Sequence, residues 1–169
     1  MSITLTELLA SRDARVEHQK ELAEKYPRAS LICFTVMLPG SVKRDWRSLL
    51  IADAGVVAIR QSFGRFGHLL YEEERDLETG FEAYFAADME PLEVKRICCS
   101  IEDEHPLGRL MDIDVIVEGR PLSREDIGLP ARHCLLCDKP ARECMRAHRH
   151  SPEEIQDTID RMVQDYNSR

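Results

Sequence analysis

The sequence has no long hydrophobic run. Its longest apolar stretch, Leu31–Leu38, has eight positions, whereas a membrane-spanning helix needs about 20. The first ten residues show neither the basic start nor the continuous apolar core of a secretory signal peptide. We therefore expect a soluble protein that works in the cytoplasm.

Aromatic residues, glycine, proline and excess positive charge are all scarce. Aromatic residues make up 6% of the 169 positions, with 8 Gly and 8 Pro, which excludes collagen-like and low-complexity chains. The 31 acidic residues outnumber the 23 basic ones, so the formal net charge is −8, which argues against a general duplex nucleic-acid binder. A hydrophobic fraction of 43% in a chain of this length predicts one globular domain over residues 1–169.

The six cysteines divide into two groups. Three lie in apolar contexts, and the other three, Cys134, Cys137 and Cys144, crowd into the Cys/His-rich segment 131–150. Together with His148 or His150, they offer the ligand set of a closed tetrahedral zinc site. The alternative is three packed thiols in a reduced compartment.

Helical and strand patterns follow one another along the chain without repeats. Apolar periodicity and capping residues predict helices over 4–25, 44–61, 91–104 and 152–166, the last being the C-terminal helix. Strand-forming runs cover 31–38, 69–75, 81–87 and 110–117. Because residues 69–75 and 81–87 are separated by a polar turn, we expect them to form an antiparallel hairpin. The order favours an α+β fold with a mixed sheet and flanking helices.

Two aspartates alternate with apolar residues in the strongest strand pattern. Side chains of a strand point to alternate faces, so Asp112 and Asp114 share one face, at about 7 Å between their Cα atoms. Both carboxylates could reach one hard cation, and Mg²⁺ is the natural candidate because it combines protein carboxylates with substrate phosphate oxygens. The alternative is two solvated carboxylates on an exposed strand face.

The residues just before this strand favour the metal hypothesis. Gly108 permits close backbone approach to a substrate, and Arg109 presents a guanidinium suited to phosphate. The alternative for Arg109 is an ordinary surface ion pair. Two carboxylates and a basic side chain within seven residues are typical of phosphoryl-transfer sites.

Several segments together resemble one family. The stretch His105-Pro-Leu-Gly-Arg-Leu-x-Asp-Ile-Asp-Val, with Cys134-Leu-x-Cys137, Ala141-x-x-Cys144-x-Arg146 and His150, resembles the apo-citrate lyase phosphoribosyl-dephospho-CoA transferases. These enzymes are also called holo-acyl-carrier-protein synthases of citrate lyase. Pro39-Gly40-x-x-Lys43 and Thr79-Gly80-x-Glu82-Ala83 look like further recurrent segments of that family, so the resemblance covers essentially the whole chain.

The resemblance implies a transferase. It would attach the 2'-(5''-phosphoribosyl)-3'-dephospho-CoA group of the triphosphoribosyl-dephospho-CoA donor to a serine of the citrate lyase acyl-carrier subunit, releasing pyrophosphate. Asp112 and Asp114 would hold Mg²⁺, Arg109 would stabilise the triphosphate, and Lys43 and Arg65 would be further anion contacts. His105 would either relay the serine proton or cap the turn. A nucleotidyltransferase-like fold is expected by analogy.

Two other functions stay open at this point. One is the equivalent transferase of malonate decarboxylase, which uses a related donor. The other is a non-catalytic zinc-knuckle interaction module, in which the cysteines carry the function and the aspartates lie idle on the surface.

The Cys/His-rich segment has a positive local charge, opposite in sign to the net charge of the whole chain. It carries five basic against two acidic residues, and such a surface would steer an acidic carrier protein toward the enzyme. Arg142, Arg146 and Arg149 have the spacing to lie along one side of a helix that begins near Pro140.

Overall fold

One antiparallel sheet organises the protein. The computed structural model describes residues 3–64 and 67–168. The α-helices are α1 (Leu5–Lys25), α2 (Trp46–Gly64), α3 (Pro91–Glu104), α4 (Ala141–Arg146) and α5 (Pro152–Asn167), and the strands are β1 (Ser30–Val36), β2 (Leu69–Leu77), β3 (Gly80–Ala87), β4 (Met111–Val117) and β5 (Arg120–Pro121). The strand order is β2-β3-β1-β4-β5. The α+β class, the flanking helices and the β2–β3 hairpin are confirmed.

The sheet differs from the expected mixed one in the direction of its pairings. All four described pairings are antiparallel. β3 and β4 do run in the same direction and are joined through α3, as in a parallel unit, but β1 lies between them and pairs with both. The inserted strand therefore converts what would be a parallel contact into two antiparallel ones.

The two faces of the sheet are covered by different helices. α2, α3 and α5 pack on one face, where Phe34, Phe85 and Ile113 are fully buried. On the other face, Leu22 of α1 packs against a smaller cluster that includes Cys33 and Tyr84. β4 follows this division, because Met111, Ile113 and Val115 are buried while the alternate positions stay partly exposed.

Helix ends follow local capping chemistry. Thr4 with Glu7 and Ser151 with Glu154 form capping boxes at the starts of α1 and α5. Pro91 occupies the first turn of α3, where its missing N–H costs nothing. Within the described ranges, no helix combines the length and apolar character needed to cross a membrane.

The short helix α4 corrects one expectation. It ends at Arg146, and His148 adopts a left-handed backbone with φ of 44°. Arg142 and Arg146 therefore share one helix side, whereas Arg149 lies beyond the helix, because the chain turns there to bring His150 toward the cysteines.

Candidate functional site

Asp112 and Asp114 lie side by side on the α1 face of the sheet. They stand opposite Thr35 and Cys33 of β1. The Asp112 side chain is 46% exposed, and Asp114 is partly buried. Burial raises the pKa of Asp114 from its ordinary value of 3.8 to about 6, and the neighbouring charge of Asp112 adds to the shift. Two crowded carboxylates, one poorly solvated, are well suited to a divalent cation that would neutralise both.

A third carboxylate lies in the same row of the sheet. Glu82 of β3 and Asp112 of β4 both stand opposite Thr35, one on each side of it. Glu82 is buried, and it accepts hydrogen bonds from Arg15 Nε at 2.8 Å and from the Tyr84 hydroxyl at 2.5 Å. The sequence reasoning gave Glu82 and Arg15 no role, although a charged residue inside the apolar run of β3 was a usable signal.

The turn before β4 explains why glycine stands at position 108. A Cβ there would lie 2.5 Å from the carbonyl oxygens of Ile101 and Glu102, so the 3₁₀ turn Gly108–Leu110 packs directly on the backbone of α3. His105 Nδ1 accepts the Leu107 N–H at 3.0 Å. The His105 ring also packs against Tyr166 of α5, at 5.5 Å between ring centroids. This geometry supports the turn-capping alternative for His105.

Basic side chains gather where β1 ends and β4 begins. Lys43 Nζ donates to the Leu38 carbonyl at 2.5 Å. Burial lowers the pKa of Lys43, and the charge of Arg12 on α1 lowers it further. Leu38 follows the end of β1, so Lys43 lies at the same end of the sheet as Asp112. Arg65, the other expected anion contact, is outside the described residues.

Two arginines connect this end of β4 to the Cys/His-rich segment. Arg109 donates to the His133 carbonyl. Arg132 Nη2 donates to the carbonyls of Gly108 and Met111, at 3.0 and 2.5 Å, while its Nη1 lies 4.0 Å from Asp112 Oδ1. Sequence reasoning treated Arg132 only as part of the basic segment. Its reach to the Asp pair depends on a fold that brings residue 132 beside residue 112.

The fold gathers three thiols and one imidazole. The ligand atoms of Cys134, Cys137, Cys144 and His150 all lie within 4.8 Å of one another. Cys137 Sγ is 3.5 Å from Cys144 Sγ and 3.4 Å from His150 Nε2. A bridge between His133 and Pro140 closes the Cys-x-x-Cys loop. Of the two candidate histidines, the structure brings His150 to the thiols, and this cluster could hold a metal ion.

The surroundings of Cys134 favour the thiolate form of its side chain. Burial opposes ionisation, but the backbone N–H groups of Leu136 and Cys137 outweigh it and lower the pKa of Cys134. The Leu136 N–H lies 3.5 Å from Cys134 Sγ. Because thiolates rather than thiols bind metals, this arrangement fits a metal site.

A cavity opens at the far end of the aspartate-bearing face. Its volume is about 980 Å³, and its lining includes Tyr26, Arg28, Asp88 and Ile116. Ile116 shares a face with Asp114 two residues away, so the cavity begins about 7 Å along the strand from the carboxylate. The volume is at the upper end of the range for small-molecule sites.

Comparisons with known proteins agree with the motifs. A model of the family described as apo-citrate lyase phosphoribosyl-dephospho-CoA transferase matches residues 3–166. A Vibrio cholerae protein named probable apo-citrate lyase phosphoribosyl-dephospho-CoA transferase is 38% identical, covering 99% of this chain and 95% of its own length. A Shigella boydii protein named apo-citrate lyase phosphoribosyl-dephospho-CoA transferase is 32% identical, with 99% and 92% covered. A Streptococcus pyogenes relative is also 32% identical, with 98% and 88% covered.

Proposed function

This chain belongs to the apo-citrate lyase phosphoribosyl-dephospho-CoA transferase family, and we propose that it loads the prosthetic group onto the acyl-carrier subunit of citrate lyase. A serine oxygen of the carrier attacks the donor phosphorus nearest the ribose. A phosphodiester forms and pyrophosphate leaves. The observation that carries the proposal is the pair Asp112 and Asp114, on one face beside the Arg132 guanidinium, in a chain that matches the family over nearly its whole length.

The aspartates would hold Mg²⁺ in this reaction. When bound, the ion would neutralise charge on the triphosphate and polarise the attacked phosphorus. The oxygen donor set fits magnesium. The pKa of Asp114 is raised by burial and, secondarily, by the charge of Asp112, and a bound cation would offset both effects. This is nucleotidyltransferase-type chemistry, in which positioning and charge neutralisation supply most of the rate enhancement.

The basic side chains would bind the donor. Arg132 and Lys43 lie at the same end of the sheet as Asp112, and Arg109 is held next to Arg132 by its bond to the His133 carbonyl. These cations would orient the triphosphate, with Arg65 as a further contact and Gly108 shaping the turn that carries Arg109. The cavity near Ile116 has room for the dephospho-CoA portion.

The Cys/His cluster would hold a structural zinc ion. Three sulfurs and one nitrogen within 4.8 Å of one another match a closed tetrahedral site with no position left for substrate. Its role would be to order the segment from which Arg132 and the His133 carbonyl reach the turn before β4.

A transfer assay tests the proposed function. The purified protein is incubated with the triphosphoribosyl-dephospho-CoA donor, Mg²⁺ and either the apo carrier of citrate lyase or that of malonate decarboxylase, and the mass of each carrier is followed. We expect the citrate lyase carrier to gain the prosthetic group. Modification of the other carrier alone would assign the protein to malonate decarboxylase.

A pair of variants separates an enzyme from an interaction module. Asp112→Asn should lower turnover by about two orders of magnitude or more, since it removes charge that acts on the transition state. Asp157→Asn changes an exposed aspartate on α5 and should leave turnover unchanged. Full turnover by Asp112→Asn would refute the catalytic role of the pair.

A further inference from the structure

The outer edge of β4 is completed by side chains instead of by a strand. β5 pairs with β4 at Ile116 and Val117. In the part of the chain that the structure describes, no strand pairs with Met111 or Ile113 on that side. Backbone groups buried at such an edge need other partners, because leaving them unpaired costs about as much as losing a hydrogen bond.

Charged side chains supply those partners. Glu102 Oε1 accepts the Ile113 N–H at 2.9 Å, and Lys95 Nζ donates to the Ile113 carbonyl at 3.5 Å. Arg132 donates to the Met111 carbonyl. Backbone bonding resumes at Val115, whose carbonyl accepts the Leu122 N–H at 2.8 Å. The side chains therefore replace strand pairing over the stretch that carries the two aspartates.

Both α3 side chains in this arrangement are deeply buried. Glu102 and Lys95 are each 5% exposed. Glu102 also accepts from Arg124 at 3.2 Å and lies 3.7 Å from Arg132. Burying charged groups costs folding free energy even when they are paired. Apolar residues of similar size commonly stabilise a protein equally well at such positions. Stability alone therefore gives little reason for ionised groups at these positions.

The two hydrogen bonds act on the peptide groups next to the aspartates. The Ile113 N–H belongs to the peptide that follows Asp112, and the Ile113 carbonyl belongs to the peptide that precedes Asp114. Fixing both peptide planes fixes the directions in which the two Cα–Cβ bonds leave the strand. The separation of the carboxylates is thereby held at the outer edge of β4 by side chains of α3, which packs on the opposite face of the sheet.

We propose that Glu102 and Lys95 are positioning residues that hold Asp112 and Asp114 at the spacing needed to bind a divalent cation. This rests on the proposed function of the Asp pair. In this role, neither residue needs to contact the substrate, because both act through the backbone of Ile113. Groups that orient metal ligands in this indirect way typically change metal affinity or activity by about 10- to 100-fold when removed.

The test uses the full chain with Mn²⁺ as the probe, read by its electron paramagnetic resonance signal, together with the Mg²⁺ dependence of turnover. Glu102→Leu removes the acceptor, and we expect about 10- to 100-fold weaker Mn²⁺ binding and a lower kcat. Glu102→Gln keeps a carbonyl oxygen for the Ile113 N–H and should stay within about threefold of the wild type. The control Glu104→Leu changes an exposed acid on the same helix and should alter neither quantity.

Every result decides the question. Wild-type Mn²⁺ affinity in folded Glu102→Leu would overturn the proposal, and so would equal damage in Glu102→Gln and Glu102→Leu. If Glu102→Leu does not fold, Glu102→Gln and Lys95→Met decide. Glu102→Gln must keep Mn²⁺ binding near the wild-type value, and Lys95→Met must weaken it several-fold, or the proposal fails. Full turnover by Asp112→Asn would instead refute the proposed function.

Discussion

Removing the charge of Asp114 should make the protein more stable while destroying its activity. In the metal-free protein, burial and the neighbouring Asp112 raise the pKa of Asp114 from 3.8 to about 6. Ionising the Asp114 carboxyl group therefore costs more free energy in the folded state than in the unfolded chain. Asp114→Asn is neutral at every pH and escapes this penalty.

The magnitude follows from the shift in pKa. The difference between 3.8 and about 6 corresponds to about 3 kcal/mol at about 1.4 kcal/mol per pH unit. Because Asp114 keeps some solvent contact, screening reduces this figure, and we expect about 1 to 2 kcal/mol of added stability at pH 7.

The upward direction of the pKa shift also determines how stability depends on pH. As the pH rises from about 4 to 6, the unfolded chain loses its proton before the folded protein does, so wild-type stability falls over this window and then levels off. The stability gap between Asp114→Asn and the wild type should therefore narrow as the pH falls from about 6 to about 4.

Urea unfolding between pH 4 and 8, without added divalent cation and without chelator, measures this gap. Asp112→Asn is the matched control, and its gain should be smaller because the burial of Asp114, the larger cause of the shift, remains. Added Mg²⁺ should stabilise the wild type but not Asp114→Asn. If Asp114→Asn is less stable than the wild type at pH 7, or if the gap does not depend on pH, then the ionised Asp114 carboxylate does not destabilise the folded state.

Three other expectations concern separate parts of the protein. Elemental analysis should find about one zinc per chain, lost together with thermal stability in Cys137→Ser; protein purified without metal would leave the thiols as packing groups. Gly108→Ala should cost about 1 to 3 kcal/mol in urea unfolding, because its Cβ meets backbone oxygens, whereas Gly64→Ala, whose Cβ would have none of the described residues within 4 Å, should not. Replacing Arg142 and Arg146 with Gln should raise the apparent KM for an acidic carrier and flatten its salt dependence at unchanged kcat; a loss of donor binding instead would place α4 in the donor site.

Local patterns predicted most of the secondary structure. The bounds of α3 agree with those expected from Pro91 and its apolar stripe, and β4 alternates as expected, with Ile113 buried and Asp112 partly exposed. These features depend on neighbours within a few residues, so the sequence displays them directly. The insertion of β1 between β3 and β4 depends on contacts across the whole chain, and no local pattern carries that information.

The candidate site was predictable only where its residues are close in sequence. Asp112 and Asp114 are separated by one residue, and periodicity alone places them on one face. Glu82, Glu102 and Arg132 reach this region from other elements, so their contribution emerges only in three dimensions. For His105, the sequence left a proton relay and a turn cap open, and the packing of its ring against α5 supports the cap.

The position of β1 has a consequence for synthesis of the protein. The central strand is the first to leave the ribosome, yet its partners β3 and β4 end at Ala87 and Val117. At about 5 to 20 residues per second, roughly 80 further residues take about 4 to 16 s. Until β3 has been made, the apolar segment Leu31–Phe34 has two unpaired edges, and the edge that pairs with β4 stays open for the whole of that time. Unpaired strand edges are templates for aggregation. The nascent chain should therefore depend on chaperones until β4 has been made, and a ribosome stalled before Val117 should present a protease-sensitive intermediate.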